Sequence, residues 1–125
     1  MNNSASATAA APGNQLDPQQ IALLRGLRKG TLLPVLLRTY RDQSAAHMED
    51  LRSAAAKQDA NAVRLIAHTL KSASYSVGAT AIGDLCMQLE TNARNNQMNG
   101  NATLYGELAE RFAALVPEIE SHLQS

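Results

Sequence analysis

The residues around His68 combine side chains that suit phosphoryl chemistry. Lys71 follows His68 by one helical turn, and Arg64 precedes it by one turn. Imidazole is a nucleophile that titrates near neutral pH, so an unprotonated ring nitrogen is available there to accept a phosphoryl group from an acyl phosphate. Cations at i+3 and i−4 would stand beside the negative charge that such a transfer adds. These residues indicate a histidine that carries a phosphoryl group.

The helical period places His68 on the outer side of its helix. At about 100° per residue, apolar and small residues form one buried stripe; its members are Val63, Ile66, Ala67, Leu70, Ser74 and Val77. His68 lies roughly 140° from the centre of this stripe. Measured from the same centre, the residues beside His68 lie at roughly 80–120°; these are Arg64, Lys71 and Tyr75. Ser72 lies at roughly 180° from that centre. We therefore predict an exposed His68 on rigid helical backbone.

The outward neighbours of His68 are candidate contacts for a partner protein. Ser72 is small, so the rim of a partner's active site can approach the helix closely. Leu65 also points outward, where a leucine is either simply exposed or a docking contact. Arg64 and Tyr75 are further candidates, with a solvated helix face as the alternative for both.

Four long helices and a short one are predicted, which indicates an all-α, antiparallel four-helix bundle. Asp17 caps a short helix, with Pro18 at its first position, that ends near Gly30 and covers the bundle as a lid. Thr31 caps a helix of about 25 residues that ends near Ala56. Asp59 is the predicted cap of the helix that carries His68.

Gly78 occupies the position at which a left-handed residue ends the His68 helix. Thr80 is the predicted cap of the next helix, whose inward residues are Ile82, Leu85, Cys86, Leu89 and Ala93. A turn at 99–101 precedes the last helix, which Pro117 should kink or shorten. The buried residues of that helix are predicted to be Leu104, Leu108, Phe112, Leu115 and Ile119.

Composition narrows the class of protein. The chain has 125 residues, three tyrosines, one phenylalanine and no tryptophan, which favours helices over a sheet. Eleven basic and eleven acidic residues give no net field to attract nucleic acid. No apolar run is long enough to cross a bilayer and no signal peptide is visible, so we expect a cytoplasmic protein.

The single cysteine, Cys86, is expected to be a core residue.

The segment from Ala67-His68-Thr69-Leu70-Lys71-Ser72 to Gly78-Ala79, followed by 85–90, resembles the signature of histidine-containing phosphotransfer (HPt) domains. The resemblance covers roughly residues 17–123. It implies a four-helix bundle that shuttles phosphoryl groups between receiver-domain aspartates in multistep phosphorelays. It implies that His68 is the phospho-acceptor and that Lys71 assists it. Ser72 stands where glycine commonly follows the lysine.

The sequence also indicates what the chain lacks. It has no phosphate-binding loop and no kinase catalytic set, so we expect a carrier and not an enzyme. Transfer from an aspartate needs Mg²⁺, and no acidic cluster flanks His68 in the sequence; the ion is therefore expected from the receiver partner, and no cofactor or metal is expected in this chain. His47 and His122 carry no motif. The alternative is a docking module of the same fold that works without phosphorylation.

The domain boundaries and partners complete these expectations. Residues 1–14 are predicted to be a disordered tail or linker, and residues 15–125 the bundle. Response-regulator receiver domains are the expected partners. The chain is expected to be a monomer, either free-standing or attached through its leader to a hybrid sensor kinase.

Overall fold

The computed structural model describes residues 15–124, and these form a helical bundle. The predicted tail at 1–14 lies outside the described residues. The helices are α1 (Pro18–Arg25), α2 (Leu32–Ala56), α3 (Ala60–Ser76), α4 (Thr80–Arg94) and α5 (Asn101–Gln124), with a 3-10 helix at Leu27–Gly30 between the first two. The predicted all-α, four-helix bundle with a short additional helix is confirmed.

The four long helices pack as consecutive antiparallel neighbours. The pairs Tyr40–Ser74 and His68–Glu90 join α2 to α3 and α3 to α4. The hydroxyl of Tyr105 on α5 donates to the carbonyl of Met48 on α2, which closes the ring. Fully buried side chains from all four helices fill the centre, among them Leu37, Leu51, Leu70, Ile82, Leu89, Leu108, Leu115 and Ile119.

The inward face of α4 is as predicted. Cys86 is fully buried there, and burial raises the pKa of its thiol to about 12. The thiol is therefore a small core side chain, as expected. On α5, Leu108, Leu115 and Ile119 are buried, whereas Leu104 and Phe112 are only partly buried against the core.

Two of the four predicted helix caps are correct. The carboxylates of Asp17 and Asp59 accept hydrogen bonds from the backbone N–H groups of Gln19 and Ala62, at 3.0 Å and 3.1 Å. Thr31 occupies the predicted N-cap position of α2, but the prediction that its side chain caps the helix is wrong, because its hydroxyl donates backwards to the carbonyl of Arg28. The prediction for Thr80 is also wrong, because this residue is the first of α4 and makes no cap hydrogen bond to the helix.

The end of α1 also differs from the prediction. α1 ends at Arg25, five residues before Gly30, because Arg28 and Lys29 have left-handed φ angles of 51° and 55°. No residue of the 3-10 helix is buried, so no core contact favours continuing α1 through it. At the other end of the chain, α5 continues through Pro117 to Gln124, so the proline does not shorten it.

The predicted left-handed glycine joins α1 to the main bundle. Gly78 has φ 84°, and the N–H groups of Gly78 and Ala79 donate to the carbonyls of Tyr75 and Ser74. This pair of hydrogen bonds is a Schellman motif, which ends α3. The carbonyl of Gly78 in turn accepts from the N–H of Asp17 at 2.8 Å.

A second contact holds the entry to α1 against α5. The carboxylate of Glu118 accepts hydrogen bonds from the backbone N–H groups of Gln15 and Leu16, at 2.8 Å and 3.0 Å. Charge-assisted hydrogen bonds of this kind are among the stronger ones in proteins. Together with the Gly78 contact, they place α1 over one end of the bundle, as expected of a lid.

Candidate functional site

His68 stands near the middle of α3, on the face opposite the core. The buried residues of this helix are Val63, Ala67, Leu70 and Ser74, all members of the predicted stripe. Of its other two members, Val77 is buried just after the helix and Ile66 is only partly buried. The imidazole of His68 is 58% exposed. A histidine at the centre of a long helix has a fixed backbone, because its N–H and carbonyl groups are inside the regular hydrogen-bond ladder. The structure therefore presents a nucleophilic ring to solvent from a rigid support.

A buried glutamate on the neighbouring helix holds this ring. The carboxylate of Glu90, on α4, is only 5% exposed. Its Oε2 lies 2.8 Å from Nδ1 of His68, and its Oε1 lies 2.8 Å from Nζ of Lys71. The guanidinium of Arg94, one turn later on α4, donates to Oε2 at 3.1 Å. One carboxylate thus joins the histidine to two cations.

These contacts keep Glu90 ionised. Burial by itself raises the pKa of a carboxyl group, but the hydrogen bonds and charges of Lys71 and His68 outweigh it, so the pKa of Glu90 lies below its ordinary value. A buried carboxylate is stable only when its oxygens are paired in this way.

The ionised state of Glu90 determines which nitrogen of His68 is free. A carboxylate can only accept hydrogen bonds, so Nδ1 of His68 must carry the proton that lies between them. In the neutral ring the other nitrogen, Nε2, then has the free electron pair. The hydrogen bond fixes both the tautomer and the orientation of the ring, and it leaves the free electron pair on Nε2.

The predicted neighbours of His68 have different roles in the structure. Lys71 joins the site through Glu90, as described above. Arg64 donates to Oδ1 of Asn61 at 2.9 Å, one turn earlier on α3, so this cation is engaged away from the Glu90 carboxylate. Ser72 is exposed, and its carbonyl accepts a hydrogen bond from the hydroxyl of Ser76.

The two predicted apolar contacts lie on the exposed surface of α3. Leu65 is 51% exposed and Tyr75 is 38% exposed. The hydroxyl of Tyr75 donates to Oδ1 of Asp84 on α4 at 2.6 Å. Partial desolvation and this hydrogen bond raise the pKa of Tyr75 to about 12. Tyr75 is thus a neutral side chain fixed between α3 and α4, with one side open to a partner.

Three residues of α4 that the sequence analysis did not single out also lie at or near this surface. Glu90 and Arg94 belong to the charge cluster, and Met87, which precedes Glu90 by one turn, is 46% exposed. A signal for Glu90 was present in the sequence. It follows Cys86 by four residues and precedes Ala93 by three, so the helical period places its carboxylate at the edge of the buried stripe, where it needs cationic partners.

The cluster around His68 combines the carboxylate of Glu90 with the cations of Lys71 and Arg94. Within residues 15–124, no three His, Cys, Asp or Glu side chains lie close enough together to hold a metal ion. Among the described residues, the carboxylate that contacts His68 is also paired with Lys71 and Arg94. None of the helices in the same range has the length and apolarity required to cross a membrane.

Comparisons with known proteins agree with this geometry. The model of the Hpt domain family matches residues 35–121, which is more than half of the chain. A search of curated protein sequences returns no match. Among solved structures, the chain is similar to histidine-containing phosphotransfer protein B (HptB) from Pseudomonas aeruginosa PAO1. The two are 28% identical with a TM-score of 0.83, and the match covers 88% of this chain and 95% of HptB. With an exposed helical histidine at its centre and the family model matched over most of the bundle, the chain belongs to the Hpt domain family.

Proposed function

We propose that His68 accepts a phosphoryl group at Nε2 from a phosphorylated aspartate of one receiver domain and passes it to the aspartate of another. Membership of the Hpt family assigns the protein to histidine phosphotransfer in a phosphorelay. The observation that carries the finer proposal is the hydrogen bond from His68 Nδ1 to Glu90, because it leaves the free electron pair on Nε2 of a ring that is 58% exposed.

The transfer needs no proton donor or acceptor in this chain. The N–P bond forms at Nε2 as the P–O bond of the acyl phosphate breaks, and the aspartate leaves as a carboxylate. The ring then has a proton on Nδ1 and the phosphoryl group on Nε2. Lys71 is a cation of α3 that Glu90 holds in the site, so it is the residue we assign to stabilising the phosphoryl oxygens.

The receiver domain is the expected source of Mg²⁺. An in-line transfer between aspartate and histidine develops negative charge on the phosphoryl oxygens, which a divalent cation neutralises. The described residues offer no set of oxygen ligands beside His68 for this purpose. The chain therefore acts as a carrier that depends on an external phosphoryl donor.

The surface around His68 suits a protein partner. Leu65, Tyr75 and Met87 are exposed on α3 and α4, the two helices that form the site. Apolar side chains beside a reactive group are typical of docking surfaces. Ser72 on α3 has a short side chain, which allows a partner's active-site rim to come close to the helix.

Phosphoryl transfer from a phosphorylated receiver in the presence of Mg²⁺ tests the proposal. Wild type is expected to acquire acid-labile, base-stable label, and His68→Gln is expected to acquire none while keeping its helical circular dichroism. His47→Gln is the matched control, since His47 is a partly buried histidine of α2 without a motif. If neither wild type nor the control is labelled by several receivers that still bind, the phosphorylation-independent docking module is the better assignment.

A further inference from the structure

We propose that Glu90 keeps the proton on Nδ1 of His68 after the ring has been phosphorylated, and that this proton makes phospho-His68 an efficient donor. The inference rests on the proposed function and extends it from the acceptance of the phosphoryl group to its release. It makes Glu90 a positioning residue that acts on both halves of the relay through the same hydrogen bond.

Release of the phosphoryl group depends on the leaving group. When the next aspartate attacks phosphorus, an O–P bond forms, the N–P bond breaks, and its electron pair returns to Nε2. If Nδ1 still carries its proton, the departing ring is neutral imidazole. If that proton has been lost, the departing ring is an imidazolate anion, which is a far stronger base and a much poorer leaving group. The donor step is therefore fast only while Nδ1 is protonated.

The geometry of the site favours the protonated ring. The phosphorylated ring with a proton on Nδ1 carries a positive charge, and an opposite charge within hydrogen-bond distance stabilises the charged form. Glu90 provides that charge at 2.8 Å, from a side chain that is 5% exposed and so is weakly screened by solvent. Nε2 lies on the other side of the ring, so this contact does not compete with the phosphoryl group.

The other charged groups around the ring do not stabilise the proton on Nδ1. On α3, Lys71 is bound to Oε1 of Glu90 and Arg64 is bound to Asn61. On α4, Arg94 is bound to Oε2 of Glu90, and Asp84 accepts from Tyr75. The cations hold Glu90 ionised and in place. The carboxylate of Glu90 is the negative group in contact with Nδ1.

The pH dependence of the donor step tests the inference. Phospho-His68 is prepared with phosphoramidate as a small phosphoryl donor, and transfer to an unphosphorylated receiver with Mg²⁺ is measured between about pH 6 and pH 9, where an imidazole responds to its neighbours. Glu90→Gln keeps the shape and the accepting oxygen of the side chain but removes its charge. Glu120→Gln is the matched control, because Glu120 is an exposed glutamate of α5.

The expected result is a difference in the rate of phosphoryl donation between wild type and Glu90→Gln that is confined to alkaline pH. Wild type and Glu120→Gln should retain donor activity to higher pH than Glu90→Gln, with rates on the order of tenfold faster at the alkaline end, since an adjacent opposite charge shifts a titration by a unit or more. Coincident profiles for all three proteins would overturn the inference while leaving the proposed function intact. Failure of wild type to accept label from any receiver would instead refute the proposed function.

A measurement on wild type alone makes the test independent of how well the variant folds. The proton on Nδ1 of phospho-His68 can be titrated by ³¹P NMR in the folded protein and in the same protein unfolded by urea. We expect the folded protein to hold this proton to higher pH than the unfolded chain, in which the contact with Glu90 is absent. Equal titrations in the two states would contradict the inference.

Discussion

The ring of Tyr75 on α3 lies directly against the backbone of Gly83 on α4. A Cβ atom placed on Gly83 would stand 2.5 Å from Cε1 of Tyr75 and 2.7 Å from its Cδ1. A Cβ atom essentially never comes this close to a non-bonded carbon, so Tyr75 can lie here because residue 83 has no side chain. The same tyrosine reaches past the glycine to donate to Asp84.

Replacing this glycine should therefore destabilise the bundle. Glycine to alanine inside a helix normally stabilises it by about 0.5–1 kcal/mol. At Gly83 the new methyl group must displace a ring that is also hydrogen-bonded, and overpacking of this kind costs about 1–3 kcal/mol. We expect Gly83→Ala to lower the free energy of unfolding by about 1–2 kcal/mol in urea titrations, the balance of these two effects.

Gly106 provides the control for this measurement. It lies inside α5, and a Cβ atom there would meet nothing within 4 Å. Gly106→Ala should raise the free energy of unfolding by up to about 1 kcal/mol, in agreement with helix propensity. Equal effects at the two positions would show that Tyr75 moves aside without cost.

The sequence predicted those features that depend on short-range spacing. The caps at Asp17 and Asp59 and the left-handed Gly78 each follow from a few neighbouring residues. The exposure of His68 follows from a period of 3.6 residues along one helix. Thr31 and Thr80 have the side-chain type of a cap, but their hydroxyls donate to earlier carbonyls of the tight turns that precede them.

The charge cluster could not be built from the sequence because it joins two helices. Glu90 is 22 residues from His68, and their contact depends on the register between α3 and α4. The period along α3 placed both Lys71 and Arg64 on the histidine's side of the helix, with Arg64 as a possible second cation. Only the position of the neighbouring carboxylate separates them, since it binds Lys71 while Arg64 turns to Asn61.

The stability of the protein should depend on pH through Glu90. Its pKa is lower in the folded protein than its ordinary value of 4.5, so the ionised carboxylate stabilises the fold above that value. This contribution is lost as the pH falls from about 5 through the folded-state pKa. We expect the difference in unfolding free energy between wild type and Glu90→Gln to be larger at about pH 6 than at about pH 3.

Urea titrations of both proteins at the two pH values provide the measurement. Glu120→Gln, at an exposed site of α5, should differ from wild type by the same small amount at both pH values. A difference between wild type and Glu90→Gln that does not change with pH would mean that the Lys71 and His68 contacts do not favour the ionised form of Glu90.

Docking of a receiver should depend on Leu65, which lies one turn before His68 and is 51% exposed. An aspartate at this position would leave the fold unchanged, because the side chain is outside the core. It would replace an apolar contact of the proposed docking surface with a charge that must lose its hydration when a partner covers it. We expect Leu65→Asp to weaken receiver binding at least tenfold, about 1.4 kcal/mol, in calorimetric titrations.

The comparison of two phosphoryl donors separates docking from chemistry. Labelling of Leu65→Asp by phosphoramidate should match wild type, because the small donor needs only the exposed ring of His68, whereas labelling by a phosphorylated receiver should fall with the affinity. Leu23→Asp is the control, since Leu23 on α1 is 63% exposed and lies on a helix that contributes no residue to the His68 site. If both variants bind and accept label from the receiver as wild type does, Leu65 is simply an exposed leucine, and the partner approaches His68 from the α4 side, over Met87.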